Sequence, residues 1–71
     1  MIDKRQHVSL TIYDTSGRLV RTLVDREMES GVYGEEWDGR DAKGHTVASG
    51  VYFCRLGAGN RTLTRKAVFL K

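Results

Sequence analysis

Proline is absent from this 71-residue chain and cysteine occurs once, at Cys54. One thiol cannot close an internal disulfide, and neither His7 nor His45 has the neighbours that a zinc site requires. Cys54 alternates with Tyr52 and Leu56 and reads as a small buried apolar residue. No apolar run is long enough to cross a bilayer as a helix, no secretory leader is expected, and no low-complexity tract occurs. No Ser/His/Asp, Cys/His or carboxylate pair stands at a catalytic spacing, so no enzyme activity, cofactor or metal is expected. A chain this short buries only about 60% of its unfolded surface, and with no staple its stability is expected to be marginal. Aromatic residues are also few, with one tryptophan, three tyrosines and two phenylalanines.

The charge that is present is unevenly placed. The formal net charge is +3, but residues 25–41 hold seven acids (Asp25, Glu27, Glu29, Glu35, Glu36, Asp38, Asp41) against Arg26 and Arg40. From Arg55 onward there are five bases (Arg55, Arg61, Arg65, Lys66, Lys71) and no acid. The module is bipolar. A nucleic-acid surface is not expected, because the basic strand has few aromatics, its charges alternate between faces, and the acidic middle would repel phosphates.

Residues 7–13 (HVSLTIY) alternate strictly, with Val8, Leu10 and Ile12 on one side. The cluster Asp14-Thr15-Ser16-Gly17 predicts a turn, and residues 18–24 (RLVRTLV) a second strand, so the two form a hairpin. Residues 25–30 (DREMES) show no clear alternation and read as a connection or a single helical turn. Residues 32–37 predict a third strand in which Glu35 shares a face with Tyr33 and Trp37. The chain is organised around residues 37–53, WDGRDAKGHTVASGVYF. Trp37 is a core anchor, and Asp38-Gly39 is a tight-turn dipeptide that Asp41 and Gly44 repeat. Residues 46–47 predict an edge strand, and residues 51–56 and 62–70 two longer strands joined by a turn at 57–60. His7 reads as a solvent-facing strand residue. Short strands with regular turn signals predict an all-β domain of about six strands, a sandwich. Its expected core is Val8, Leu10, Ile12, Leu19, Leu23, Trp37, Tyr52, Cys54, Leu56 and Val68.

Taken in order, IYDTSGRLVRTLV, GVYGEEWDGRD, GHTVASGVYF and the final TRKAVFLK resemble an immunoglobulin-like β-sandwich repeat shared by two groups. One is the Ig-like domain of the flagellar hook-capping protein; the other is the C-terminal sorting domain of type IX secretion cargo. The resemblance covers about residues 8–71 and marks Gly17, Trp37, Asp38, Gly39, Asp41, Gly44, Gly50 and Tyr52 as fold-determining positions. The flush ending at Lys71 resembles a sorting tail, which implies a single module at the C-terminus of a larger protein. Two departures stand out. Glu35 occupies a position the family fills with an apolar residue. Family members also begin with an Asn-Pro segment and a further strand, so a first strand is expected to be missing and one sheet edge left open, inviting a homodimer.

The function the resemblance implies first is a non-catalytic sorting module, secreted through the periplasm to the cell surface. Its protein partner would be the outer-membrane export machinery or its own passenger, contacted through Arg65, Lys66 and Lys71. A structural assembly module like the hook-cap domain is the second reading. Carbohydrate or calcium binding through Asp38 and Asp41 is a third, against which the turn already accounts for both carboxylates and calcium wants six or more oxygens.

Overall fold

The computed structural model describes residues 4–32, 34 and 37–70. It contains four strands, β1 (Gln6–Tyr13), β2 (Leu19–Met28), β3 (Gly50–Ala58) and β4 (Arg61–Phe69), in one antiparallel sheet of order β2-β1-β3-β4. The period-two pattern of β1 places Val8 and Ile12 on one face, where they are 3% and 2% exposed. Directly paired residues of antiparallel strands share a face. That face therefore carries three rows across β1, β3 and β4: Val8, Ala58 and Arg61; Leu10, Leu56 and Leu63; Ile12, Cys54 and Arg65. The opposite face carries Ser9, Gly57 and Thr62, then Thr11, Arg55 and Thr64, then Tyr13, Phe53 and Lys66. It is polar and hydroxyl-rich, and Thr11 Oγ1 donates to the Arg55 carbonyl at 3.3 Å.

Strand β2 departs from the sequence reading in two ways. It continues through residues 25–28, which were expected to be a connection, and buries Met28 at 5% exposure beside Val24 at 6%. Val24, Arg26 and Met28 do alternate, but Arg26 interrupts the apolar row, and an edge strand tolerates that because a long cation reaches solvent past the rim. Its pairing with β1 also shifts register twice, passing over Leu23 and Val20. These are β-bulges, which bend the strand and increase its twist. The main cluster is Val8, Val24 and Met28, against which Leu10, Leu23, Leu56 and Ala58 pack.

The all-β, antiparallel expectation holds, with four strands in one sheet instead of six among the described residues. Residues 46–47 shrink to a single bridge between Arg40 and Thr46, since a turn so tightly hydrogen-bonded leaves no length for a ladder. The expected strand over residues 32–37 falls in part on Tyr33, Glu35 and Glu36, which lie outside the described residues, as does the question of Glu35 packing. Two expected core residues are exposed, Leu19 at 58% and Val68 at 61%. Val68 pairs with Val51 one register step away from the Ala67–Tyr52 row, so it faces outward. Leu19 sits at the β2 entry beside the turn, beyond the reach of the core cluster.

Candidate functional site

The organising stretch, residues 37–53, folds as an ordered loop over residues 37–49 against one end of the sheet and then enters β3 at Gly50. Trp37 packs edge-on to Tyr52 with ring centroids 5.1 Å apart at 69°, and tilts against Phe69 at 5.6 Å and 47°. Offset and edge-to-face contacts of this kind suit the aromatic quadrupole. The indole Nε1 donates to the Arg40 carbonyl at 2.9 Å, and the Tyr52 hydroxyl donates to the Ala48 carbonyl at 2.7 Å. Tyr52 is thereby buried, and Trp37 half-buried, without stranding a polar atom. Gly39 is buried beneath Phe69 with φ +75°, and a Cβ at that position would overlap the ring. Gly50 opens β3 directly across from the same phenylalanine.

The two Asp-Gly segments have the same geometry. In the β1–β2 turn, Asp14 Oδ1 accepts from the Ser16 amide at 2.9 Å and the Arg18 amide at 2.9 Å, while Asp14 N donates to the Arg18 carbonyl at 3.0 Å. In the loop, Asp41 Oδ1 accepts from the Lys43 amide at 2.9 Å and the His45 amide at 3.0 Å, while Asp41 N donates to the His45 carbonyl at 2.9 Å. In each, the glycine three residues on donates back to the aspartate carbonyl, with φ +86° at Gly17 and +85° at Gly44. This is a turn closed by a left-handed residue, which glycine adopts without a Cβ clash. The pattern Asp-x-x-Gly with a cation-capable residue next was readable in the sequence as two separate turns; their identity of bonding was not.

The Ser16 hydroxyl at 2.7 Å, followed by the Arg18 amide, holds the Asp14 carboxyl down to about 2. The His45 amide, followed by that of Lys43, lowers Asp41 from its ordinary value. A carboxylate with a depressed folded pKa stabilises the fold above its unfolded value, and that contribution disappears as pH falls through the folded value. Acid should therefore remove the Asp14 contribution between about pH 4 and pH 2. In thermal melts, Asp14→Asn is expected to flatten the decline in Tm across that window compared with the parent chain; parallel declines would refute the turn's role.

The two turns face each other across an open cleft of about 540 Å³ whose walls include Asp14, Arg18, Asp41, Lys43, His45 and Tyr52. Its two carboxylates, Asp14 and Asp41, each accept from backbone amides of their own turn. Asp38 Oδ1 is likewise engaged, by the Arg40 amide at 3.1 Å and by Arg21 Nη1 at 2.7 Å. Asp38 and Asp41 thus serve the loop and its attachment to β2. Among the described residues no three His, Cys, Asp or Glu side chains converge as a metal set. Cys54 is a half-buried free thiol whose pKa burial raises.

Charge segregates as the composition suggests, but the two ends differ in how far it is neutralised. The acids at the end of β2 are partnered: His7 Nε2 lies 2.6 Å from Asp25 Oδ1, and Arg5 reaches Glu27 at 3.9 Å and, just past the strand, Glu29 at 3.5 Å. Arg61, Arg65 and Lys66 are exposed along β4 without an ion pair among the described residues. Arg65 and Lys66 are neighbours on opposite faces of the strand, and Lys71 lies outside the described residues.

A family model, the FlgD Ig-like domain, matches residues 3–61. Among curated proteins, the basal-body rod modification protein FlgD of Salmonella typhimurium is 43% identical over 53 residues, 75% of this chain and 23% of that protein. The protein of the same name from Salmonella typhi matches to the same extent. The chain therefore spans about a quarter of the length of these relatives. No solved structure matches it significantly. These findings overturn the type IX sorting reading: the matched family and both relatives are FlgD proteins, and the resemblance to a sorting tail rested on a few terminal residues of ordinary strand composition. The chain belongs to the FlgD Ig-like domain family.

Proposed function

We propose that this chain is a non-catalytic assembly module, an Ig-like part of a hook-capping-type protein that makes protein contacts in the flagellar rod or hook outside the cytoplasm. The observation that carries the reading is the family match over residues 3–61 together with 43% identity to a basal-body rod modification protein. The site geometry agrees with it. Asp14, Asp38 and Asp41 are engaged in turns or by arginine, and the rings of Trp37, Tyr52 and Phe69 pack on one another. The polar loop thus has a structural use for its conspicuous residues, and what it offers to the outside is a shaped, charged surface.

The test is a chimera. The segment of the Salmonella typhimurium relative that aligns with this chain is exchanged for the corresponding residues of this chain, and a strain relying on the hybrid is scored for swimming in soft agar. The expected result is motility that the same protein lacking the segment does not support. A hybrid that is stably produced but leaves cells without motility overturns the reading.

A further inference from the structure

We propose that the outer edge of β4 receives an extended, acidic segment of a protein partner as a fifth strand of the sheet, an inference that rests on the module's role in protein contacts. β4 is an edge strand of nine residues, Arg61–Phe69, paired along one side with β3 in continuous register from Gly50–Phe69 to Ala58–Arg61. Its other side has no backbone partner among the described residues. A long edge without a bulge or proline is the form that accepts a further strand, since main-chain bonds supply affinity and alternate side chains supply choice. Leu63, Val68 and, just beyond the strand, Leu70 are 47%, 61% and 76% exposed, so apolar surface accompanies the free edge on both faces.

The opposite edge lacks these properties. β2 carries both register shifts, and the carbonyl of its bulged Val20 accepts from Ala42 N at 3.2 Å. Such bulges turn an edge away from pairing.

Charge selects the occupant. Arg61 and Arg65 stand on the face that carries Leu63, and Lys66 on the other, so an added strand meets a cation whichever way its side chains point. A second copy of β4 would set these cations against their own kind across a two-fold axis, an unfavourable cross-strand arrangement. A second copy of β2 offers acids, but Asp25 and Glu27 are already held by His7 and Arg5 on a bulged strand. A foreign strand with carboxylates on both faces satisfies the charges and the backbone together. The family match ends at residue 61, the first residue of this strand.

The experiment titrates the isotope-labelled 71-residue chain with three blocked peptides, TEVEVTE, TKVKVTK and TEPEPTE, and follows backbone amide shifts and hydrogen exchange by NMR. TEVEVTE should move and protect amides of residues 61–69, with affinity that falls as salt rises. TKVKVTK, which reverses the charge, and TEPEPTE, which keeps the acids but cannot form a ladder, should bind at least tenfold more weakly. The double substitution Arg65→Glu with Lys66→Glu should weaken TEVEVTE at least tenfold; both side chains are exposed, and an otherwise unchanged spectrum shows that the fold is kept. The proposal is overturned if TEVEVTE causes no shift at millimolar concentration, if it perturbs β2 or the hydroxyl-rich face instead, or if the three peptides behave alike. It is also overturned if β4 amides become protected with rising protein concentration alone and the mass in solution doubles, because the edge then belongs to a second copy. A motile chimera beside a silent β4 would sink this inference and leave the assembly role standing, whereas an immotile chimera sinks the role itself.

Discussion

Gly39→Ala is expected to destabilise the domain by about 2–5 kcal/mol, lowering Tm on the order of 10–30 °C in a chain of this size. Two costs combine. A non-glycine residue at φ +75° loses roughly 1–2 kcal/mol to the left-handed clash. The new methyl also enters the Phe69 ring, and displacing a packed ring costs about 1–3 kcal/mol. Since Phe69 leans on Trp37, and Trp37 on Tyr52, the displacement reaches the whole end of the sheet. Gly44→Ala separates the two costs, because Gly44 has φ +85° but nothing within 4 Å of its would-be Cβ. Circular dichroism melts of both variants, read beside Trp37 fluorescence, decide the matter. Equal losses at the two positions would mean that ring packing over Gly39 contributes nothing.

Ile12→Ala is expected to cost about 2–5 kcal/mol, against about 0.5–1.5 kcal/mol for Ile12→Val. Among the described residues Ile12 is the largest side chain that is fully enclosed, at 2% exposure, on a central strand between β2 and β3. The cavity left by the deleted methyl groups cannot collapse easily where neighbours on both sides are hydrogen-bonded into the sheet. A domain of this length is worth only roughly 4–10 kcal/mol in total, so the alanine variant should be partly unfolded at 37 °C. Val68→Ala provides the comparison, with an expected change within about 0.5 kcal/mol because Val68 is 61% exposed. Both residues look alike as apolar members of alternating strands, and urea titration of the pair distinguishes enclosure from mere apolar character. Similar midpoints for Ile12→Ala and Val68→Ala would contradict the core as described.

These contrasts show where reading residues in order succeeds. Strand β1 was legible because Val8, Leu10 and Ile12 repeat at the period of the pleat, and the hairpin was legible because Asp14-Thr15-Ser16-Gly17 contains its own hydrogen-bonding partners within five residues. The Trp37 stretch was legible as an anchor with turns for the same reason. Val24 and Met28 were missed as core, and Leu19 and Val68 were placed there wrongly. For Leu19 and Val68 the decisive quantity was cross-strand register: two bulges in β2 re-aim its first half, and a single step along β4 exchanges Val68 for Ala67 at the inner face; Met28 was missed because Arg26 interrupts the apolar row of a strand that runs on through residues 25–28. The functional reading suffered similarly. A basic terminal strand was read as a sorting tail, while the matched FlgD family supports the assembly reading that had been placed second.

The sequence by itself determined the class and the punctuation of this protein. Alternation, turn glycines and aspartate caps act over a few residues, so they define an all-β chain with turns at residues 14–17, 38–44 and 57–60, although Gly57 and Ala58 of the last belong to β3. The tertiary structure alone decided which strands are edges, that Gly39 lies under Phe69 and that, among the described residues, the acids of β2 are partnered while the bases of β4 form no ion pair. Those facts depend on residues tens of positions apart meeting across a sheet, and one-residue shifts in that meeting reverse which face a side chain occupies.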